Sequence, residues 1–423
     1  MSTSVAVIGT GYVGLTTGAC LAHLGHRVAC ADIDPAKVAA LAEARVPFYE
    51  PGLSELVREG VAAGRLRFVL GGEHAVDGAD LVFLCVPTPQ ADDGSADLSY
   101  VEAAAGAIAP VLRPGAVVVN KSTVPVGSAS VVERILGRED VTVVSNPEFL
   151  REGSAVADFL HPDRVIIGTE SEEAGRRVAA LYHSIDAPVL ITDPASAETI
   201  KYAANAFLAT KISFVNAIAA VCEAVGANIT DVIRGIGSDR RIGHEFLRPG
   251  PGWGGSCFPK DTRALVSIAE RGGYDFRLLR GVIASNAEQH ERMVAKVREA
   301  LGGSLEGATI AAWGLAFKAD TDDVRDSPAV AIVDALLAAG ATVQAYDPQA
   351  TVTRDGLVQA SSALAACDGA DALVVLTEWS EFLGADLEGV AARLRRGVVV
   401  DTRNVLDQRA AAGAGLRLMG VGR

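Results

Sequence analysis

One arrangement occurs twice in this chain, and it constrains the fold more than any other feature. Near the N-terminus, SVAVIGTGYVGLTTGACLAHLGHRVACADIDP opens with a short β-branched run (Val5–Ile8) and a glycine-rich turn. A segment of helical periodicity follows (Tyr12–Leu24), stopped by Gly25, and then a second apolar run (Val28–Ala31) closing on Asp32. Near the C-terminus, ATIAAWG (Ala308–Gly314), SPAVAIVDALLAAG (Ser327–Gly340) and TVQAYDP (Thr342–Pro348) repeat that plan, the last run again ending on an aspartate, Asp347. DGADALVVLTEW then echoes DGADLVFLCVPTP (Asp77–Pro89), and RGVVVDTRN echoes PGAVVVNKSTVPVG (Pro114–Gly127). Alternating short strands and helices predict a parallel sheet covered on both faces, and the duplication predicts two such domains.

Between the two copies, Ile200, Ala204, Phe207, Ile212, Val215 and Ile218 recur at helical spacing, which predicts a helix from Ala197 to about Val225. A helix of that length suits an inter-domain spine and a dimer surface. Helical pattern resumes from about Thr262 to Leu301, broken at Gly272–Gly273. The expected architecture is α/β, with two Rossmann-like doubly wound domains joined by a long central helix. The domains are placed at 1–195, 196–300 and 301–423.

Composition agrees, with 49% apolar and only 5% aromatic residues, the balance of Ala-rich helices on Val-rich parallel strands. A formal charge of −14 argues against a nucleic-acid or anionic-membrane partner, so an anionic ligand would need local Lys and Arg. The six cysteines, at 20, 30, 85, 222, 257 and 367, form no C-x-x-C pair and read as reduced thiols. No metal site is expected. The apolar N-terminus lacks a basic segment and is broken by Gly9, Gly11, Gly14, His23 and His26, so it does not read as a signal peptide. With no unbroken apolar run of about 18 residues, a cytoplasmic protein is expected.

Gly9, Gly11 and Gly14 form G-x-G-x-x-G between a strand and a helix, and Asp32 follows at the end of the next strand. Glycines there allow a tight turn and close approach of backbone to a pyrophosphate, while the acid accepts from a ribose 2′-hydroxyl and repels a 2′-phosphate. NAD rather than NADP is the expected cofactor. Lys37 is open between an adenosine contact and a solvated helix lysine. In the C-terminal copy, Gly314-Leu-Ala-Phe-Lys replaces the glycine fingerprint, so a second NAD site is not expected, whereas a diphosphate contacted by Lys318 is.

GWGGSCFPKD (Gly252–Asp261) is the most informative stretch. A cysteine among glycines, with Lys260 and Asp261 close behind, is poorly explained by packing. Glycines suit a loop that a ligand approaches, and a nearby cation lowers a thiol's pKa, so Cys257 is expected to be a nucleophile. Lys201 and Asn205 share one face of the long helix, as site residues or as surface residues. NPEFLREG (Asn146–Gly153) places Glu148 and Glu152 after a strand, facing a cofactor crevice or forming a charged surface turn.

Taken together, GTGYVGL, YEPGL (Tyr49–Leu53), CVPTP (Cys85–Pro89), KSTVPVG (Lys121–Gly127), NPEFLREG, RIGHEFLRPGPGWGGSCFPKD, GLAFKADTDDVRDSP (Gly314–Pro328) and DTRN (Asp401–Asn404) resemble the UDP-glucose/GDP-mannose dehydrogenase family across the whole chain. The wording of YEPGL and of the cysteine motif favours its UDP-glucose branch over enzymes acting on GDP-mannose or UDP-N-acetylmannosamine. The resemblance implies NAD contacts from Gly9, Gly11, Tyr12, Val13, Gly14, Asp32, Lys37, Thr88, Thr123, Glu152, Lys260 and Arg325. It implies sugar-nucleotide contacts from Glu148, Phe149, Leu150, Arg151, Glu152, Lys201, Asn205, Phe246, Leu247, Arg248, Pro249, Gly250, Gly254, Lys318 and Arg403. Arg241 would reach the neighbouring subunit's substrate in a homodimer. Ala319–Arg325 is a somewhat acidic version of the family's loop.

The implied chemistry is a two-step oxidation of a sugar's primary alcohol to a carboxylate. Cys257 would form a thiohemiacetal and then a thioester. Asp261 would be the base, through a water shared with Thr123; Glu148 would orient the hydrolytic water, and Lys201 and Asn205 would stabilise the oxyanion. Two rivals are a single-step hydroxyacid dehydrogenase, which needs no nucleophilic cysteine, and a non-catalytic nucleotide-sugar sensor. The stoichiometry of NADH per sugar separates them.

Overall fold

The computed structural model describes residues 2–91 and 95–423. They group into two compact units, Met1–Ala204 with Arg263–Gly273, and Asn205–Thr262 with Tyr274–Arg423. Each unit is built on one sheet.

The first unit holds β1 (Ser4–Ile8), β2 (Arg27–Asp32), β3 (Leu66–Leu70), β4 (Leu81–Leu84), β5 (Val117–Asn120), β6 (Thr142–Ser145), β7 (Val165–Gly168) and β8 (Val189–Thr192), in the order β3-β2-β1-β4-β5-β6-β7-β8. Neighbours are parallel except β6 and β7, which meet antiparallel at Ser145 and Gly168. The second unit holds β9 (Thr309–Trp313), β10 (Thr342–Tyr346), β11 (Leu357–Gln359), β12 (Ala372–Val375), β13 (Val398–Asp401) and β14 (Arg417–Met419), in the order β11-β10-β9-β12-β13-β14. In both sheets the chain runs outward one way from its first strand, then returns to start β4 or β12 on that strand's other side. That reversal opens a crevice at the carboxyl ends of the strands.

The repeat is visible at single residues. Gly9 and Gly314 follow β1 and β9 with the same φ of +97°. A side chain on Gly9 would stand 2.6 Å from the Cys85 carbonyl oxygen, and one on Gly314 would run into Thr377. The central strands β4, β5, β12 and β13 are buried throughout, so their sequences are apolar runs rather than alternating ones, apart from the closing Asn120 and Asp401. The runs that become β7 and β8 lack a glycine turn between them and were not picked out from sequence.

The long helix is Pro194–Val225, three residues longer at its start than its periodicity suggested. One face is buried through Tyr202, Ala206, Ala209, Val215, Ala219 and Cys222. On another, Phe207, Phe214, Val221 and Val225 are more than half exposed and, at spacings of seven, seven and four, make one stripe. The expectation that nothing here could span a membrane counted only unbroken runs. Averaged over 18 residues this helix reaches a hydropathy of 1.5, long and apolar enough to cross one by composition alone. The two following helices are Phe258–Arg271 and Arg277–Ala300, separated at the expected glycines. The first begins a turn earlier than Thr262: Pro259 in the first turn lacks only an N–H that has no helical partner there, and Asp261 suits the positive helix end.

Candidate active site

At the first crevice, the three fingerprint glycines differ in what they are needed for. A Cβ on Gly14 would collide with the Gly9 carbonyl, and one on Gly9 with Cys85, so both are fixed by packing of the helix Tyr12–His23 against its strand. Gly11, which caps that helix, has nothing within 4 Å of its would-be Cβ and leaves its helix N-terminus open to a ligand phosphate. Tyr12 and Val13 begin the helix, on the lip of that opening. Asp32 ends β2, where Oδ2 accepts from the Thr10 backbone N–H at 3.0 Å, the Thr10 hydroxyl at 2.5 Å and the Lys37 ammonium at 2.9 Å. Burial pulls this carboxyl's pKa upward, but the hydrogen bonds from Thr10 and Lys37 outweigh it and hold the pKa at about 2. The structure therefore makes Lys37 a partner of Asp32 rather than a purely solvated lysine. Thr88 and Thr123 follow β4 and β5 on the same edge, and the Thr88 hydroxyl donates to the Thr123 carbonyl at 2.9 Å.

The equivalent acid of the second sheet, Asp347, is consumed internally. It accepts from the backbone N–H groups of Leu315, Ala316, Gln349 and Ala350 and from the Trp379 indole.

NPEFLREG is not a surface turn. Glu148 accepts from the Lys201 ammonium at 2.9 Å and from the Leu150 backbone N–H at 2.6 Å, and Glu148, Leu150, Glu152 and Lys201 are all buried. Lys201 also lies 5.5 Å from the centre of the Phe149 ring. Arg151 instead turns outward onto Asp158 at 2.6 Å. Two residues given no role from sequence hold this region. Glu50 of YEPGL accepts from the Gly153 and Ala155 backbone N–H groups at 2.7 and 2.8 Å. Glu198 accepts from Gly127 and Ala129 at the head of the helix Ser128–Leu136, and from the Ser145 hydroxyl, bracing the loop that bears Thr123. Behind the loop, burial pushes the Lys121 ammonium down to about 8 despite the nearby Glu148, and it donates to Asn146 and Tyr182.

In the second unit, Cys257 directly precedes the helix Phe258–Arg271, and among the described cysteines it is the one that is not buried. Ser256 Oγ lies 3.6 Å from its sulfur. Asp261, wholly buried, has one carboxylate oxygen on the Lys260 ammonium at 2.7 Å and the other on the Asn205 amide at 2.6 Å. Lys260, expected beside the thiol, thus engages Asp261 one residue on. Asn205, one turn along the long helix from Lys201, is buried as well, so neither is a surface residue. The Phe246–Gly250 loop turns through a left-handed Phe246 (φ +61°) and buries Leu247, Pro249 and Gly250, while Arg248 is exposed. Arg403 donates to the carbonyls of Leu376 and Phe317, and a Cβ on Gly250 would stand 3.4 Å from its guanidinium. Lys318 lies 5.5 Å from the Phe317 ring centre, and Arg325 is paired with Asp323 at 2.7 Å. Gly254 has no room for a side chain, which would strike the Asp326 carbonyl. Arg241 is exposed and paired with Asp239.

Comparison with known proteins gives a consistent result. The NAD binding domain of the UDP-glucose/GDP-mannose dehydrogenase family matches residues 3–186, its central domain 195–288 and its UDP binding domain 311–408. A UDP-glucose 6-dehydrogenase of Rhizobium meliloti (strain 1021) is 47% identical over 99% of both chains. UDP-glucose 6-dehydrogenase TuaD of Bacillus subtilis (strain 168) is 45% identical over 99% of this chain and 93% of its own. Among solved structures, a UDP-glucose dehydrogenase from the hyperthermophilic archaeon Pyrobaculum islandicum matches with a TM-score of 0.92 at 39% identity, over 100% of this chain and 98% of that one. A UDP-D-ManNAc dehydrogenase from Pyrococcus horikoshii matches with 0.89 at 30% identity, over 99% of each.

Proposed function

The chain belongs to the UDP-glucose/GDP-mannose dehydrogenase family, and from that premise we propose that it oxidises UDP-glucose to UDP-glucuronate through a covalent intermediate on Cys257. It is an NAD-dependent oxidoreductase. The Gly9–Gly14 turn and Asp32 fit that cofactor, since Gly11 leaves room for a pyrophosphate and Asp32 takes a ribose hydroxyl. UDP-glucose is favoured over the N-acetylmannosamine sugar because full-length identity is 47% to a UDP-glucose enzyme and 30% to a UDP-D-ManNAc one.

We read 1–195 as the cofactor domain, 196–300 as the dimerisation segment bearing the nucleophile, and 301–423 as the UDP-binding domain. NAD, when bound, accepts a hydride in each of the two oxidations. Asp261 takes the proton of the 6-hydroxyl through a water shared with Thr123, its carboxylate aimed by Asn205 and Lys260. The Cys257 thiolate adds to the aldehyde carbon, and the carbonyl electron pair goes to oxygen as the C–S bond forms. The same sulfur carries the thioester after the second oxidation. Glu148 orients the water that cleaves it, releasing carboxylate and thiolate. Lys201 and Asn205 stabilise the oxyanion, at about 3 kcal/mol per donor.

The observation that carries the covalent reading is the placing of Cys257: half-buried while the other described cysteines are buried, at a helix N-terminus, four residues before Asp261. A second copy of the chain covers the Phe207/Phe214/Val221/Val225 stripe, making a cytoplasmic homodimer in which Arg241 reaches the neighbouring substrate. Polar residues buried on the same helix, Glu198, Lys201, Asn205, Ser213 and Asn216, support a protein interface over a membrane span. The testing experiment is NADH production with UDP-glucose, GDP-mannose and UDP-N-acetylmannosamine in turn. Two NADH per UDP-glucose and little with the others are expected; one NADH per sugar would favour a single-step dehydrogenase.

A further inference from the structure

The loop that leads to Cys257 is rich in glycine and has few side chains of its own to hold its course. What holds it is the helix Arg277–Ala300. Asn286, buried on that helix, grips both polar groups of Trp253: its Oδ1 accepts from the Trp253 N–H at 2.8 Å, and its Nδ2 donates to the Trp253 carbonyl at 2.9 Å. Gln289, three residues on, donates to the Gly250 carbonyl at 2.7 Å, and Asn216 accepts from the Gly250 N–H at 2.8 Å. The Trp253 indole N–H donates to Ser213 at 2.9 Å. Gly252 passes so close, at φ +133°, that a Cβ would stand 2.8 Å from both Asn286 Oδ1 and His290 Nε2. On the other face the Gly255 N–H donates to the Arg325 carbonyl at 3.1 Å, and the Phe317 ring leaves no room for a side chain on Gly255.

An amide that satisfies the donor and acceptor of a single residue fixes the direction of the adjoining peptides as a neighbouring strand would. Cys257 lies four residues beyond that fixed point. We propose that Asn286 is a positioning residue for the nucleophile: by holding Trp253 it aims the Cys257 thiol, and so decides whether the aldehyde is captured before it leaves. The inference rests on the covalent reading given above, in which the thiolate adds to the aldehyde carbon and the resulting oxyanion takes up a proton. Asn286 touches neither partner in that step.

The test follows Asn286→Ala and Gln289→Met with UDP-glucose and NAD, quenching with borodeuteride so that any aldehyde returns as sugar deuterated at C6. Displacing a reacting group by about 1 Å costs on the order of 10²-fold in rate, so Asn286→Ala should form acid about 10²-fold more slowly. The decisive readout is different: NADH per sugar consumed should fall below two, with deuterated sugar in excess over enzyme. NAD affinity within about twofold of the parent shows that the first unit is intact. Gln289→Met, which loses one bond and little volume, should move the same way to a smaller degree, and it decides the matter if Asn286→Ala does not fold. Retention of two NADH per sugar with no aldehyde beyond the enzyme concentration, at whatever rate, overturns the positioning role. If the unaltered protein itself yields one NADH per sugar, the covalent reading fails instead.

Discussion

The Lys201 ammonium lies 2.9 Å from Glu148 Oε1, with both side chains only 3% exposed. Breaking such a pair strands a buried charge, whereas removing both charges together does not. Lys201→Met is expected to lower the unfolding free energy by about 3–5 kcal/mol. Lys201→Met/Glu148→Gln should regain most of that stability and remain inactive. Urea midpoints, read beside acid formation, check this; a double variant that regains activity would show the pair to be structural only.

Asp32 should govern both cofactor choice and acid stability. Asp32→Ala is expected to narrow the preference for NAD over NADP more than it lowers turnover at saturating NAD. Initial rates with the two cofactors test this, and comparable rates in the parent protein would contradict it. Its carboxyl titrates at about 2 when folded, against an ordinary 3.8. A depressed carboxyl stabilises the fold above pH 3.8, and that contribution is lost as pH falls through 3.8 towards 2. Asp32→Asn should therefore flatten this part of the stability curve while leaving the curve above pH 5 parallel to the parent's.

Phe214 lies in the middle of the exposed stripe on the long helix. Phe214→Glu should yield a monomer by light scattering, with loss of activity, because a charge cannot be buried in an apolar interface without a partner. An active monomer of the parent protein at assay concentration would refute the dimer. Arg241→Ala should weaken substrate binding, and mixing it with a Cys257 variant should restore part of the activity if the arginine acts across the interface.

Thiol chemistry should single out one residue. Burial pushes the Cys20, Cys85 and Cys367 thiols up to about 12 and Cys30 higher still, and Cys222 is buried as well. Cys257 should be alkylated before the others, and UDP-glucose should protect it; peptide mapping after brief iodoacetamide treatment gives the order. Cys257→Ser should accumulate an ester with the sugar, seen as added mass on the intact protein, because an ester hydrolyses far more slowly than a thioester.

Much of this was legible in the sequence because it rests on local chemistry. The two strand–turn–helix copies, the glycine break before Arg277 and the acid closing β2 all follow from periodicity and turn residues. The pairing of Lys201 with Glu148 was not legible, since 53 residues separate them and only the folded sheet brings the loop after β6 to the helix. For the same reason Asn286 and Glu198 carried no readable role: each acts chiefly on backbone atoms, which have no residue-type signature. Lys260 was read as the thiol's neighbour from spacing alone. The structure gives it Asp261 as a partner, a pairing between sequence neighbours that the spacing did not single out.

The central claim is that Cys257 carries the sugar through both oxidations, and Cys257→Ala tests it most directly. The substitution changes no glycine of the fingerprint and neither Lys318 nor Arg403, so NAD and UDP-glucose should still bind. The measurement is the rate of UDP-glucuronate formation at saturating NAD and UDP-glucose. The account predicts almost complete loss, because neither thiohemiacetal nor thioester can form. Acid production at a rate near the parent's would contradict it and leave a dehydrogenase of another design.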